Sequence, residues 1–188
     1  MSSKQDERRL KELVVIQALC NKDLLFFTRY FYRKRFGHKF IVNPHHRIVC
    51  DALNKVMDGQ CSKLIINIAP RYSKTELAVI NHIANGLGRN PEAKFIHLSY
   101  SDDLVQTNSE AVRDIINMDD YKAIYGDLDI KKDSRAKKNW KTTKNVGLYA
   151  VATGGQVTGF GAGLVDNQNL WGIFSEEFSD MMADEMFD

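Results

Sequence analysis

Apolar positions at helical spacing dominate the first 60 residues of the chain. Between residues 5 and 33 they recur with a period near 3.6, which predicts that this stretch is helical. These positions are Leu10, Leu13, Val14, Ala18 and Leu19. Asn43-Pro44 breaks the pattern, and residues 45–57 predict a further helix that Gly59 closes. We therefore expect residues 1–60 to form a helical N-terminal extension.

Beyond this extension, short apolar runs of strand length alternate with helical patterns. Strands are predicted over residues 63–68, 94–100 and 146–151. Helices are predicted over residues 74–86 and after Asp102 or Asp103, either of which suits an N-cap. This alternation indicates an α/β fold built on a parallel sheet with crossover helices.

The loop between the first strand and its helix has the features of a phosphate-binding loop. It reads Ile68-Ala69-Pro70-Arg71-Tyr72-Ser73-Lys74-Thr75. The usual pattern is G-x-x-x-x-G-K-[ST], so Ile68 and Ser73 replace both glycines. Such loops bind phosphates through backbone N–H groups and the helix N-terminus. The small side chain of Ser73 is compatible with this role, and Pro70 rigidifies the start of the loop. The sequence therefore predicts a nucleotide-binding loop that lacks its glycines.

Three side chains of this loop carry the predicted chemistry. We expect Lys74 to reach the β- and γ-phosphates, and the Thr75 hydroxyl to bind Mg²⁺. Arg71 adds a second cation that can contact a γ-phosphate through two hydrogen bonds. The alternative is a turn with exposed bases, which the local sequence also allows.

Charge is distributed unevenly along a chain whose net charge is only +2. Residues 1–60 carry 12 Lys and Arg against 6 Asp and Glu, whereas residues 161–188 carry 7 acids and no base. A basic front half permits nonspecific contact with nucleic acid, and a second basic run over residues 131–144 would add to it. Both runs are also compatible with solvated faces.

Residues 26–36 interleave aromatic side chains with bases. This pattern predicts either a segment that holds nucleic acid by stacking and charge, or an amphipathic helix with its rings inward. The three cysteines have no metal-binding spacing, which favours reduced thiols in a cytosolic compartment. The charged N-terminus does not fit a signal peptide, and no apolar run is long enough for a membrane span.

Several blocks in the right order resemble the ATPase domain of tailed-phage terminase large subunits, the DNA-packaging motor proteins. They are KFIVNPHHRIVCDALNKVMDGQCSKLIINIAP, INIAPRYSKTELAVINHIANGL, AKFIHLSYSDDL and GGQVTGFGAG. The resemblance implies a P-loop NTPase-like doubly wound parallel sheet, here incomplete, and ATP with Mg²⁺ as cofactors. It also implies ATP-driven translocation of double-stranded DNA into a procapsid in the host cytoplasm. The partners would be a portal ring, a small terminase subunit and further copies of this chain.

The resemblance also implies roles for individual residues. Lys74 and Arg71 would be catalytic, and Thr75 would hold the metal. Asn43, His45 and His46 lie where relatives contact the base, within the adenine-pocket part of residues 1–60. The nucleotide-binding set is Asn43, His45, His46, Pro70, Arg71, Tyr72, Ser73, Lys74, Thr75 and Glu76.

A Walker B strand, which supplies the acids for ATP hydrolysis, is not evident. The candidates are residues 163–167, with Asp166, and residues 170–177, with Glu176 and Glu177. We expect neither to be genuine: residues 61–166 would form the core, and residues 167–188 an acidic irregular tail or the start of an insertion. The chain would then lack the nuclease domain of a full large subunit and bind ATP with little hydrolysis.

Two other interpretations remain open from the sequence. The chain would be a nucleotide-binding or inert fragment without catalysis, or part of another P-loop motor such as a helicase. A helicase requires a complete Walker B strand with its own downstream motifs, and the sequence contains no such set.

Overall fold

The computed structural model describes residues 2–126, 128, 130, 139–142, 147–152 and 170–174. Within these residues the protein is a mixed α/β structure in which helices surround a small sheet. This confirms the predicted α/β class at its coarsest level. No helix of the described part is long and apolar enough to cross a membrane.

Three helices form the N-terminal part: α1 (Ser2–Lys22), α2 (Leu24–Phe36) and α3 (Pro44–Met57). The helical stretch predicted over residues 5–33 is confirmed except at Asp23, which separates α1 from α2. Its backbone is extended (φ −139°, ψ 112°), and its carboxylate accepts a 2.8 Å hydrogen bond from the Leu25 N–H. Asp23 is therefore the N-cap of α2, a local preference that outweighs the continuous apolar period.

The central helices follow the loop near residue 70. A π-helical segment (Thr75–Asn81) continues directly into α4 (His82–Arg89), so the predicted helix over residues 74–86 is present and slightly longer. α5 (Asp102–Asn117) and α6 (Asp119–Tyr125) come later. Neither aspartate predicted as the cap of α5 has that role, because the Ser101 hydroxyl accepts the Leu104 N–H at 3.4 Å.

The sheet has the strand order β2-β3-β1-β4. Its strands are β1 (Lys94–Ser99), β2 (Asn139–Lys141), β3 (Gly147–Ala152) and β4 (Leu170–Phe174). β1 runs parallel to both of its neighbours, with Phe95 opposite Leu148 on β3 and Trp171 on β4, whereas β2 is antiparallel to β3. Two of the predicted strands are thus confirmed as β1 and β3.

The strand predicted over residues 63–68 is wrong. Among the described strands none pairs with this segment, which lies in irregular chain, and the Ile65 side chain is 93% exposed. An apolar run becomes a strand only where a neighbouring backbone completes its hydrogen bonds. By contrast, β4 lies inside the stretch expected to be irregular, so the chain is regular there over Leu170–Phe174.

One hydrophobic core joins the helices to the sheet. Phe27 and Phe31 of α2 contact the buried ring of Tyr121, whose hydroxyl donates a 2.7 Å hydrogen bond to the Ala84 carbonyl. α4 approaches β1 closely at Gly86, where an added Cβ would lie 2.4 Å from Phe95 Cζ. This close contact fixes the helix that follows the loop against the central strand.

Candidate functional site

The loop before the π-helical segment has an unusual backbone. Arg71 (φ 68°) and Ser73 (φ 61°) are the non-glycine residues with positive φ in the described part of the chain. Left-handed backbone costs an L-residue about 1–2 kcal/mol, and such strain concentrates at functional sites. Ser73 therefore has the conformation that glycine would adopt most readily at the position where the usual loop has its second glycine.

A helix begins directly after this turn. Lys74 has helical dihedral angles (φ −54°, ψ −53°), and the Leu77 N–H donates to the Ser73 carbonyl at 3.0 Å. The first N–H groups of a helix are not used by its own hydrogen-bond ladder and carry the positive end of the helix dipole. The turn and the helix end together therefore present the kind of surface that binds phosphate.

The side chains around this helix end are accessible to different degrees. Pro70, Arg71, Tyr72 and Thr75 are exposed, whereas Ser73 and Lys74 are half-buried. The described residues contain no group of three His, Cys, Asp or Glu that would hold a metal ion. Mg²⁺ does not require such a group where it arrives with a triphosphate, because phosphate oxygens and water fill most of its octahedron. One exposed threonine hydroxyl therefore fits the predicted ion.

Glu76, predicted to bind nucleotide, directs its carboxylate elsewhere. Its Oε1 accepts hydrogen bonds from Arg35 Nη1 (2.6 Å) and Asn81 Nδ2 (2.8 Å), and the Asn81 amide also reaches the Glu76 carbonyl at 2.7 Å. The Arg35 and Glu76 side chains are only 14% and 17% exposed. The Glu76 carboxylate thus joins α2 to the π-helical segment.

The three base-contact candidates at the start of α3 fall into two groups. The Asn43 N–H donates to Nδ1 of His46 (3.0 Å), whose ring is 2% exposed and packs against Phe40 with centroids 4.9 Å apart. Burial and the adjacent His45 lower the pKa of His46, which favours a neutral ring. Asn43 and His46 therefore make contacts that shape this turn of the chain.

His45 lies beside the loop. Its ring is half-buried, 4.0 Å from the His46 centroid and 5.3 Å from the Tyr72 centroid, with the Tyr72 ring 52% exposed. The structure thus brings His45 and Tyr72 together, although 27 positions separate them in the sequence. Of the predicted base contacts, His45 is the one whose ring lies beside the Tyr72 ring, while His46 also contacts the Tyr72 backbone.

Some predicted positions lie outside the described residues. These are Asp166, Glu176, Glu177, the glycine-rich block and most of the second basic run.

Within the described part, sequence reasoning missed the roles of Arg35 and Asn81, since Arg35 was grouped with bases available to nucleic acid. Its partner Glu76 is 41 residues away, a separation at which no local pattern operates.

No family model, curated protein or solved structure matches this chain. The geometry of the loop and of the helices around it is therefore the basis for assigning a function.

Proposed function

We propose that this chain binds a nucleoside triphosphate, as the ATPase part of a DNA-packaging motor of the terminase large-subunit type. The observation that carries the proposal is the left-handed backbone of Ser73, followed at once by a helix that begins with Lys74 and Thr75. The turn at Ser73, the Lys74 side chain and the Thr75 hydroxyl follow one another in the order found in phosphate-binding P-loops. The proposal rests on this turn and helix end, and not on a preceding strand.

Each part of the site has a separate task in binding. The first N–H groups of the π-helical segment contact phosphate oxygens, and the Lys74 ammonium neutralises the β- and γ-phosphates. The exposed guanidinium of Arg71 contacts the γ-phosphate in a bidentate manner. The Thr75 hydroxyl is the protein's ligand to Mg²⁺, which when bound neutralises charge on the phosphates. His45 and Tyr72, adjacent at the mouth of the loop, contact the base.

The larger assembly belongs to the same proposal. A packaging motor moves along duplex DNA of any sequence, which requires contact with the phosphate backbone and not with base edges. It works as several copies of this chain on a portal ring, with a small terminase subunit, in the host cytoplasm. The basic N-terminal part supplies the positive surface for the duplex.

Hydrolysis by the chain alone is expected to be weak. Phosphoryl transfer depends on positioning and charge stabilisation, and we assign no carboxylate to orient the attacking water. An assay of steady-state ATP turnover with Lys74→Ala as control tests this: we expect no turnover above the Lys74→Ala background. The Glu176→Gln and Glu177→Gln variants should then match the parent chain. Clear turnover that either glutamine variant abolishes would assign the water-orienting acid to the segment after β4.

A second candidate function is a nucleotide-binding fragment without catalysis of its own. The same loop geometry supports it, because binding and hydrolysis need different groups. If the chain binds nucleotide with the same affinity with and without duplex DNA, and shows no turnover in either case, this second function is favoured over a motor.

A further inference from the structure

Beside α2 lies a basic cleft of about 670 Å³. Arg29, Arg33, Lys34 and Lys39 line it, together with the rings of Phe26 and Phe40. Gly37, at φ 75°, turns the chain back after α2, so that Lys39 lines the same cleft as Arg29 and Arg33. We call this surface the α2 cleft.

The arginines of the α2 cleft lie on a different face of α2 from Arg35, which adjoins the phosphate-loop candidate. At about 100° per residue, Arg29 and Arg33 lie about 120° and about 160° around the helix axis from Arg35. Arg35 is the residue that contacts Glu76 beside the loop. Arg29 and Arg33 therefore lie on a different face of α2 from the arginine that contacts the π-helical segment.

The positive charge of the cleft is mostly uncompensated. Lys34 pairs with Asp120 at 2.8 Å, but in the described part of the chain no carboxylate pairs with Arg29, Arg33 or Lys39, which are all exposed. Arg29 and Arg33 are four residues apart on one helix face, where like charges repel. Arg33 is in the last turn of α2, where the helix dipole favours a positive charge. The dipole does not explain Arg29, which is in the middle of the helix, or Lys39, which lies beyond its end.

The rings of the cleft are already engaged by the protein. Phe26 stacks on Tyr30, whose hydroxyl donates to Asp120 and whose ring faces Lys34 Nζ at 5.5 Å. Phe40 is 9% exposed and packs on His46. Bases of an unpaired strand would need free ring faces for stacking. The rings therefore act as apolar walls, and the chemistry offered to a ligand is that of three cations.

We propose that the α2 cleft binds the phosphodiester backbone of a nucleic-acid duplex through Arg29, Arg33 and Lys39. This deepens the proposed function and rests on it for the identity of the partner, because it places the duplex on a defined surface. Contact through phosphates makes binding independent of sequence and sensitive to salt.

The test measures binding of a fluorescent duplex by anisotropy, without nucleotide, for the whole chain and a triple variant, Arg29→Gln/Arg33→Gln/Lys39→Gln. A control triple variant, Lys55→Gln/Lys63→Gln/Lys94→Gln, removes the same charge from exposed positions outside the cleft. We expect the cleft variant to lose at least about tenfold in affinity for the duplex. Between about 50 and about 200 mM salt, the slope of log K against log salt concentration should be smaller by about 2.7, which is about 0.9 for each of three phosphate contacts. The control should retain most of the affinity and the slope.

Two further arms complete the test. The charge-conserving variant Arg29→Lys/Arg33→Lys should bind nearly as tightly as the parent chain, because lysine contacts phosphate as a point charge. If the triple variant does not fold, the single variants Arg29→Gln and Arg33→Gln should each lower the salt slope by about 0.9, and an unchanged slope in both would overturn the proposal. Duplexes of unrelated sequence should bind alike.

Equal losses in the cleft and control variants would overturn the proposal. Displacement of the duplex by inorganic tripolyphosphate at equal phosphate concentration would also overturn it, in favour of a small-anion site. Because nucleotide is absent from these measurements, a failed nucleotide-binding proposal leaves their result unaffected.

Discussion

Ser73 is the residue on which the candidate site depends most. The sequence indicated its position in a loop but not its backbone, because serine has no strong preference for left-handed angles. A short small side chain allows φ 61° at a moderate cost, and the following helix keeps the turn in place. The loop could therefore be predicted from the sequence, whereas its left-handed backbone is evident only in the structure.

Substitutions at Ser73 test whether this conformation is needed. Ser73→Gly removes left-handed strain of about 1 kcal/mol but loosens the unfolded chain by a similar amount, so its free energy of unfolding should change little. Ser73→Val should lower that free energy by about 1–2 kcal/mol and weaken nucleotide binding, because a branched side chain resists positive φ.

Urea unfolding and nucleotide titration of both Ser73 variants provide the measurement. Ser62→Val is the matched control, since Ser62 is exposed and does not have positive φ. Equal stability of Ser73→Val and this control would contradict the assigned backbone role.

At the scale of elements, the predictable features were those that local chemistry determines. α3 begins at Pro44 and β1 covers Lys94–Ser99, close to the predicted bounds, because proline, caps and apolar runs act within a few residues. The break at Asp23 and the unpaired segment 63–68 were missed, since the first is a cap inside an apolar period and the second depends on a distant partner strand. The Arg35–Glu76–Asn81 contact was missed for the same reason of distance.

This contact should contribute to stability as a partly buried charged group. Glu76→Ala leaves Arg35 without its partner at 14% exposure, so we expect the free energy of unfolding to fall by about 2 kcal/mol. The control is Glu12→Ala, which breaks the exposed Arg8–Glu12 pair and should cost less than about 0.5 kcal/mol. Chemical unfolding of both variants measures the difference, and equal costs would show that the Arg35 contact does not hold α2 to the π-helical segment.

At the scale of the whole molecule, the sheet has one edge formed by the carboxyl ends of its parallel strands. The three parallel strands run in the same direction, so Ser99, Ala152 and Phe174 lie at one edge. The sequence predicted parallel pairing from the alternation of elements, but it could not predict the order β2-β3-β1-β4. That order depends on contacts between strands up to about 80 residues apart, which no local period encodes.

The central claim is that a loop without glycines holds a triphosphate at Lys74. Isothermal titration of the chain with Mg²⁺ and a non-hydrolysable ATP analogue tests it most directly, with Lys74→Ala and the exposed-lysine control Lys63→Ala titrated in parallel. We predict Mg²⁺-dependent binding that Lys74→Ala weakens by about 1.5–3 kcal/mol, roughly 10- to 150-fold, through loss of a charge-assisted contact. Lys63→Ala should bind as the parent chain does. Unchanged affinity in Lys74→Ala, or no binding by the parent chain, would contradict the account.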